Sequence, residues 1–269
     1  MSSTHSSAKP RANAGGIGTM QERSLHASLK DWYARPDDRL EVHVDGFWVD
    51  IVRGDLLIEI QTRNFSSAKR KLAALTTDHR VRLVYPIARE KWIIRLAENG
   101  LDRLGRRKSP KRGSLMHVFE ELVSIPELMA RPNFSLEVLL IREEEVRRKQ
   151  PGGRWRRKGW GTYDRKLIDV VGRVVLDSPS DICGLLPDGL PDPFTSRELA
   201  GALGESRRLA QKTAYCLRRM GAAEVAGKRG NALLYTTRRE ERGGGGRAAA
   251  GPGASRGAQG EGICFGAHG

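Results

Sequence analysis

The sequence predicts an α/β fold: a mixed-sheet core, then a basic α+β segment, then a small helical unit closed by a hairpin. Three observations carry this. Short apolar runs that alternate with polar residues recur from Leu40 to Gln61, at 81–96 and at 134–141, the pattern of strands. Segments with apolar residues at helical spacing precede and separate them. Gly, Pro and Asp clusters sit between the runs, where turns are needed.

Residues 1–19 are rich in Ser, Ala and Gly and read as disordered. Gln21 to Tyr33 reads as an amphipathic helix, with Leu25, Leu29, Trp32 and Tyr33 on one side and Glu22 in its first turn. Arg35-Pro36-Asp37-Asp38 ends it. A strand follows at Leu40–Val44, and Asp45-Gly46 is a hairpin turn. Two more strands, Phe47–Val52 and Leu56–Gln61, flank Arg53-Gly54-Asp55. Asn64 is placed to cap a helix running to about Thr77, with Ala68, Leu72 and Leu75 inward. Strands are expected at Val81–Ile87 and, separately, at Trp92–Leu96. From Gly100 to Gly113 the chain is strongly basic. A helix at Leu115–Val123, a turn at Pro126–Met129 and a strand at Phe134–Ile141 come next. A basic hairpin tip follows around Pro151-Gly152-Gly153, and Leu167–Leu176 reads as a helix. The domain boundaries expected are 20–98 for the sheet core, 99–186 for the basic extension, 187–240 for the C-terminal unit, and 241–269 for a disordered Gly/Ala tail.

Net charge is +15, from 47 Lys+Arg against 32 Asp+Glu, which favours a polyanionic partner. No apolar run approaches the roughly 20 residues that span a bilayer. No long basic amphipathic helix with a wide apolar face suggests a membrane surface. The first five residues lack the parts of a signal peptide. The three cysteines, Cys183, Cys216 and Cys264, are too scattered for a zinc site or a disulfide framework. A reducing cytoplasm is the compartment expected.

Two acids stand out because they interrupt apolar strands. Alternation puts Asp50 on the face of Trp48 and Val52, and Glu59 on the face of Leu57 and Gln61. If the strands pair, Asp50 and Glu59 converge. Half-buried carboxylates held together repel unless a cation lies between them, and oxygen-only ligands suggest Mg²⁺ or Mn²⁺. The order of these parts over residues 20–96 resembles the PD-(D/E)XK, or restriction-endonuclease-like, nuclease superfamily. A first helix carries Glu22, one strand carries Asp50, the next carries Glu59-Ile60-Gln61, and a basic helix follows. The resemblance implies a Mg²⁺-dependent deoxyribonuclease in which Asp50 and Glu59 hold the metal and Glu22 supports it. Gln61 stands where the family has lysine. It can orient a water but carries no charge, and Lys69 on the next helix is the candidate for a migrated lysine. The same resemblance allows a homodimer, since nucleases of this fold often pair to cut two strands.

Residues 194–238 carry a winged helix-turn-helix pattern. Thr195 and Glu198 form a capping box for a helix at Ser196–Leu203, Gly204-Glu205 turns the chain, and a second helix runs from Ser206 to Met220. Two short strands surround Gly227–Asn231. The second helix is expected to expose Arg207, Arg208, Gln211, Lys212, Tyr215 and Arg219 to a major groove, while Lys228 and Arg229 on the wing meet backbone. Arg154, Arg156 and Arg157, interleaved with Trp155 and Trp160, supply a further DNA-binding element. The expected function is metal-dependent hydrolysis of DNA. The alternatives are a non-catalytic DNA-binding protein or regulator on a degenerate nuclease fold, and an adaptor whose C-terminal unit binds protein.

Overall fold

The computed structural model describes residues 24–100, 102–149 and 159–238. Expectations for residues 1–19 and 241–269, for Glu22, and for Arg154, Arg156 and Arg157 lie outside these.

Helix α1 (Leu25–Tyr33) begins where the Ser24 hydroxyl accepts the Ala27 N–H, and it buries Leu25, Leu29 and Tyr33 four residues apart. β1 (Arg39–Val44) and β2 (Phe47–Arg53) form the predicted hairpin. Its turn needs positive φ at both central residues, and Asp45 and Gly46 adopt +47° and +82°. β3 (Leu56–Ile60) pairs antiparallel with β2. Helix α2 (Phe65–Asp78) then crosses over to β4 (Arg80–Leu96), which lies parallel to β3, as a parallel connection requires.

β4 is one strand where two were expected, continuous through a bulge between Ala88 and Glu90. The basic stretch after it contains β5 (Arg103–Lys108), paired with the distal end of β4. A 3-10 turn at Leu115–Val118 leads into α3 (Phe119–Leu122), and another spans Pro126–Ala130. β6 (Phe134–Lys149) runs parallel to β4, and β7 (Trp160–Leu176) returns antiparallel to β6. The helix expected at Leu167–Leu176 is therefore strand. The sheet order is β1-β2-β3-β4-β6-β7, with β5 attached to β4. The boundary expected at residue 98 falls inside this sheet, because β6 is an inner strand.

Helices cover both faces. Leu25 and Leu29 of α1 pack with Ile51, Ile58, Ile60 and Val84 on one side. α2 and α3 pack with Leu57, Leu83, Leu136 and Val138 on the other. The fold is mixed α/β, in three layers.

After α4 (Pro179–Cys183) come β8 (Phe194–Thr195), α5 (Ser196–Leu203), α6 (Arg207–Arg219), β9 (Ala223–Arg229) and β10 (Ala232–Thr237). The capping box forms as read: Thr195 Oγ1 accepts the Glu198 N–H at 3.2 Å, and Glu198 accepts the Thr195 N–H at 2.7 Å. The three strands order as β8-β10-β9. Leu209, Ala210, Ala214 and Leu217 of α6 are buried in the same apolar cluster as Phe119 and Leu122 of α3. Residues 24–238 belong to one compact unit. No helix among the described residues is long and apolar enough to cross a membrane.

Candidate functional site

The ladder between β2 and β3 pairs Ile51 with Ile58, so one step further brings Asp50 opposite Glu59. Pairing stops there for a local reason. The Asp50 carboxylate turns toward β3, and its Oδ2 accepts the Ile60 N–H at 2.9 Å. The same oxygen faces His26 Nε2 of α1 at 3.2 Å. Glu59 receives the ammonium of Lys71 from α2. Gln61 follows Glu59 at the carboxyl end of β3, its backbone N–H on Val84 O at 2.9 Å and its side-chain amide donating to Ser67 Oγ at 3.1 Å.

The side chains of Asp50 and Glu59 are only 15% and 13% exposed, so water screens their charges weakly. Burial works to raise the Asp50 carboxyl, but the hydrogen bonds from His26 and the Ile60 N–H prevail and hold it below the usual range. Glu59 goes the other way. Burial and then the Asp50 charge push it up, against the opposing pull of Lys71. His26 is raised by its hydrogen bond with Asp50, against the effect of its own burial. Two carboxyl groups whose values are driven apart are the arrangement expected of a working pair.

Sequence reading placed the two acids correctly opposite one another and missed the groups that serve them. Lys69, the lysine expected to have migrated, is exposed and its charge acts on Glu127 instead. Lys71 is the lysine that reaches Glu59. His26, four residues after Glu22 in the sequence, is the α1 side chain that reaches Asp50. Glu41 on β1 occupies the register position opposite Asp50, holds a left-handed φ of +52°, and pairs with Lys30 of α1. Left-handed backbone at a non-glycine residue costs about 1–3 kcal/mol and gathers at functional sites. Asn64 also sits in the left-handed region, and its side chain does not cap α2. Glu121 from α3 does so, accepting the Phe65 N–H at 3.2 Å.

A hard divalent cation fits the donor chemistry. Asp50 Oδ1 and Glu59 Oε1 accept no hydrogen bond among the described residues. Among the described residues no cluster of three or more His, Cys, Asp or Glu side chains is gathered for a metal; a cation held by these two carboxylates would take its other ligands from water and substrate phosphates, as Mg²⁺ can. The Cys216 thiol is held protonated, since burial pushes it up to about 12.

Of the side chains expected on the α6 surface, Arg207, Arg208, Gln211, Tyr215 and Arg219 are exposed, and Arg218 joins them. Arg207, Arg208 and Arg218 form no ion pair among the described residues. Lys212 is instead half-buried and bound to Glu120 of α3, and Arg219 is bound to Glu127. These two cations fasten the helix to the core, because they lie on its edge where the neighbouring turns carry carboxylates. On the hairpin Lys228 is exposed, and Arg229 pairs with Glu198 at 2.7 Å.

A family model described as "Domain of unknown function (DUF8091)" matches residues 23–177, which hold the whole of the large sheet. A protein of Treponema pallidum (strain Nichols), described as "Uncharacterized protein", is 33% identical over 221 residues, covering 81% of this chain and 86% of the relative. No solved structure matches the chain.

Proposed function

This chain belongs to the family described as Domain of unknown function (DUF8091), and we propose that it is a metal-dependent DNA nuclease-like protein. The observation that carries the reading is the half-buried Asp50–Glu59 pair at the carboxyl end of β3, served by Lys71 and Gln61. Support also comes from the order of elements: a helix, three antiparallel strands, a crossover helix and a parallel strand, as the PD-(D/E)XK resemblance requires.

Asp50 and Glu59 would hold the cation, which when bound lowers the pKa of a water and neutralises charge on the phosphodiester. His26 keeps Asp50 ionised and oriented. Lys71 brings to the site the positive charge that Gln61 lacks. Gln61, fixed by Ser67, has a carbonyl oxygen to orient a water. The exposed face of α6, with Arg207, Arg208, Gln211 and Arg218, and the Lys228 hairpin form a surface suited to duplex DNA in the manner of a winged helix. Incubation with linear, single-stranded and branched DNA in Mg²⁺ or Mn²⁺ tests this. Cleavage is expected, and it should fall by at least ~100-fold in Asp50→Ala and in Glu59→Ala. Cleavage that persists in both variants removes the assignment.

A second reading has its own observation. Lys71 and His26 already partner the two carboxylates, as they would in a degenerate nuclease fold that binds DNA without cutting it. That protein would show salt-sensitive binding, no metal dependence, and loss of binding in Arg207→Ala with Arg208→Ala.

A further inference from the structure

The inner edge of β4 is left open between two partners. β3 pairs with it as far as Val84 and β5 begins at Trp92, with the Ser109 N–H on Lys91 O at 2.7 Å. Between them the returning chain touches the strand through the Gly113 N–H on Ala88 O at 2.9 Å. Gly113 lies so close that a Cβ there would meet Ile87 Cγ2 at 2.5 Å and Ala88 O at 2.6 Å. A cleft of about 810 Å³ opens in this gap, starting at Thr62 and Arg63, immediately after Gln61.

Seven Lys and Arg side chains line the cleft against a single carboxylate, Glu145. Three of the cations are already engaged. Lys91 bridges Glu143 and Glu145 at 2.9 and 2.8 Å, Arg147 meets Glu145 at 2.7 Å, and Arg165 meets Glu143 at 2.6 Å. Burial would raise Glu145, but Lys91 and Arg147 prevail and hold it at about 2, so it is fully committed to them. The other four, Arg63, Arg107, Lys111 and Arg112, are exposed and form no ion pair among the described residues. The floor beneath them offers Tyr85, Ile87 and Ile93.

We infer that this cleft seats the phosphates of a single DNA strand beside the Asp50–Glu59 site. The inference rests on the DNA reading above and adds to it the strandedness and the path of the substrate. One phosphate would leave most of the four free cations uncompensated, whereas a strand presents phosphates in succession. On β5, Arg103 adds a further exposed cation that forms no ion pair among the described residues, whereas Arg106 and Lys108 are paired with Glu144 and Glu90. The volume is that of a small-molecule pocket, with room for a single strand and its bases over the apolar floor rather than for a duplex. Phosphate neutralisation over such a floor is the usual means of binding a strand without sequence preference.

The test measures binding of a fluorescent oligothymidylate to the full chain in EDTA across a salt series. It compares wild type with Arg63→Ala and with the triple variant Arg107→Ala/Lys111→Ala/Arg112→Ala. The triple variant should weaken binding by at least ~10-fold at low salt and reduce the salt slope by about 0.7 per side chain removed. Exchanging the same positions as Arg107→Lys/Lys111→Arg/Arg112→Lys should restore most of the affinity. Unchanged binding in the triple variant overturns the inference. So does displacement of the oligonucleotide by ATP at matching concentrations, which would make the cleft a small-ligand pocket. Because EDTA separates binding from cleavage, a wild type that binds in the cleft but never cuts in Mg²⁺ or Mn²⁺ fails the nuclease reading alone.

Discussion

His26 and Asp50 set each other's charge, and the consequence is a stability that depends on pH from both sides. His26 is raised above its ordinary 6.5 by its hydrogen bond with Asp50. Its contribution is therefore fully present below 6.5 and is lost as pH rises through the raised value. Asp50 is lowered from 3.8, so its share is present above 3.8 and is lost as pH falls through the depressed value. Urea midpoints followed from about pH 6 to about pH 9 should decline for wild type and decline less in His26→Gln; parallel profiles would show that the pair contributes nothing. Glu41 makes a second case at this scale. Its φ of +52° suits glycine, and its ion pair with Lys30 leaves Glu41 itself 70% exposed, so it contributes little. Glu41→Gly should raise stability by about 1 kcal/mol in urea melts, and a drop would mean that the strain is not where the backbone places it. The acids themselves were legible because strand alternation and a short turn determine which residues face each other. The lysine was not. Lys69 and Lys71 flank the buried stripe of Ala68, Leu72 and Leu75 on opposite sides, and helical periodicity alone does not say which flank meets β3.

Among the elements, α2 shows how the site depends on a distant carboxylate. Its side chains Ser67 and Lys71 position Gln61 and Glu59, yet its first N–H is capped by Glu121 from α3 rather than by Asn64. Removing that acceptor in Glu121→Ala should cost about 1 kcal/mol. If the proposed chemistry holds, it should also lower cleavage without altering oligonucleotide affinity. A variant as stable as wild type would assign the N-terminus to another partner. The misread element is instructive in the same way. Leu167, Ile168, Val170, Val171, Val174 and Val175 fall at helical spacing, but β7 carries bulges against β6 near Ile141 and Glu143. Each extra residue shifts the two-residue alternation by one, and a twice-interrupted strand pattern looks helical. The capping box at Thr195 and the Asp45-Gly46 turn were legible because each is decided within four residues.

In the molecule as a whole, the C-terminal helices are part of the same core as the sheet. Leu209, Ala210, Ala214 and Leu217 of α6 share one apolar cluster with Phe119, Leu122, Leu83 and Leu136, and Lys212–Glu120 and Arg219–Glu127 seal its edge. A boundary near residue 187 looked natural in sequence because the Pro-rich stretch there resembles a linker, and burial between segments far apart in sequence leaves no local mark. The continuous core implies cooperative unfolding of residues 24–238, and the tryptophans make this measurable. Trp32, Trp48, Trp92, Trp155 and Trp160 all precede α4, so tryptophan fluorescence reports the N-terminal region and never α6 itself. Leu217 is fully buried, and Leu217→Ala should cost about 2–5 kcal/mol through lost burial and the cavity left behind. If the core is continuous, that substitution lowers the midpoint seen by tryptophan fluorescence and by far-ultraviolet circular dichroism together. If α6 instead unfolds as part of an independent domain, the fluorescence midpoint stays at the wild-type value while the circular dichroism curve splits in two.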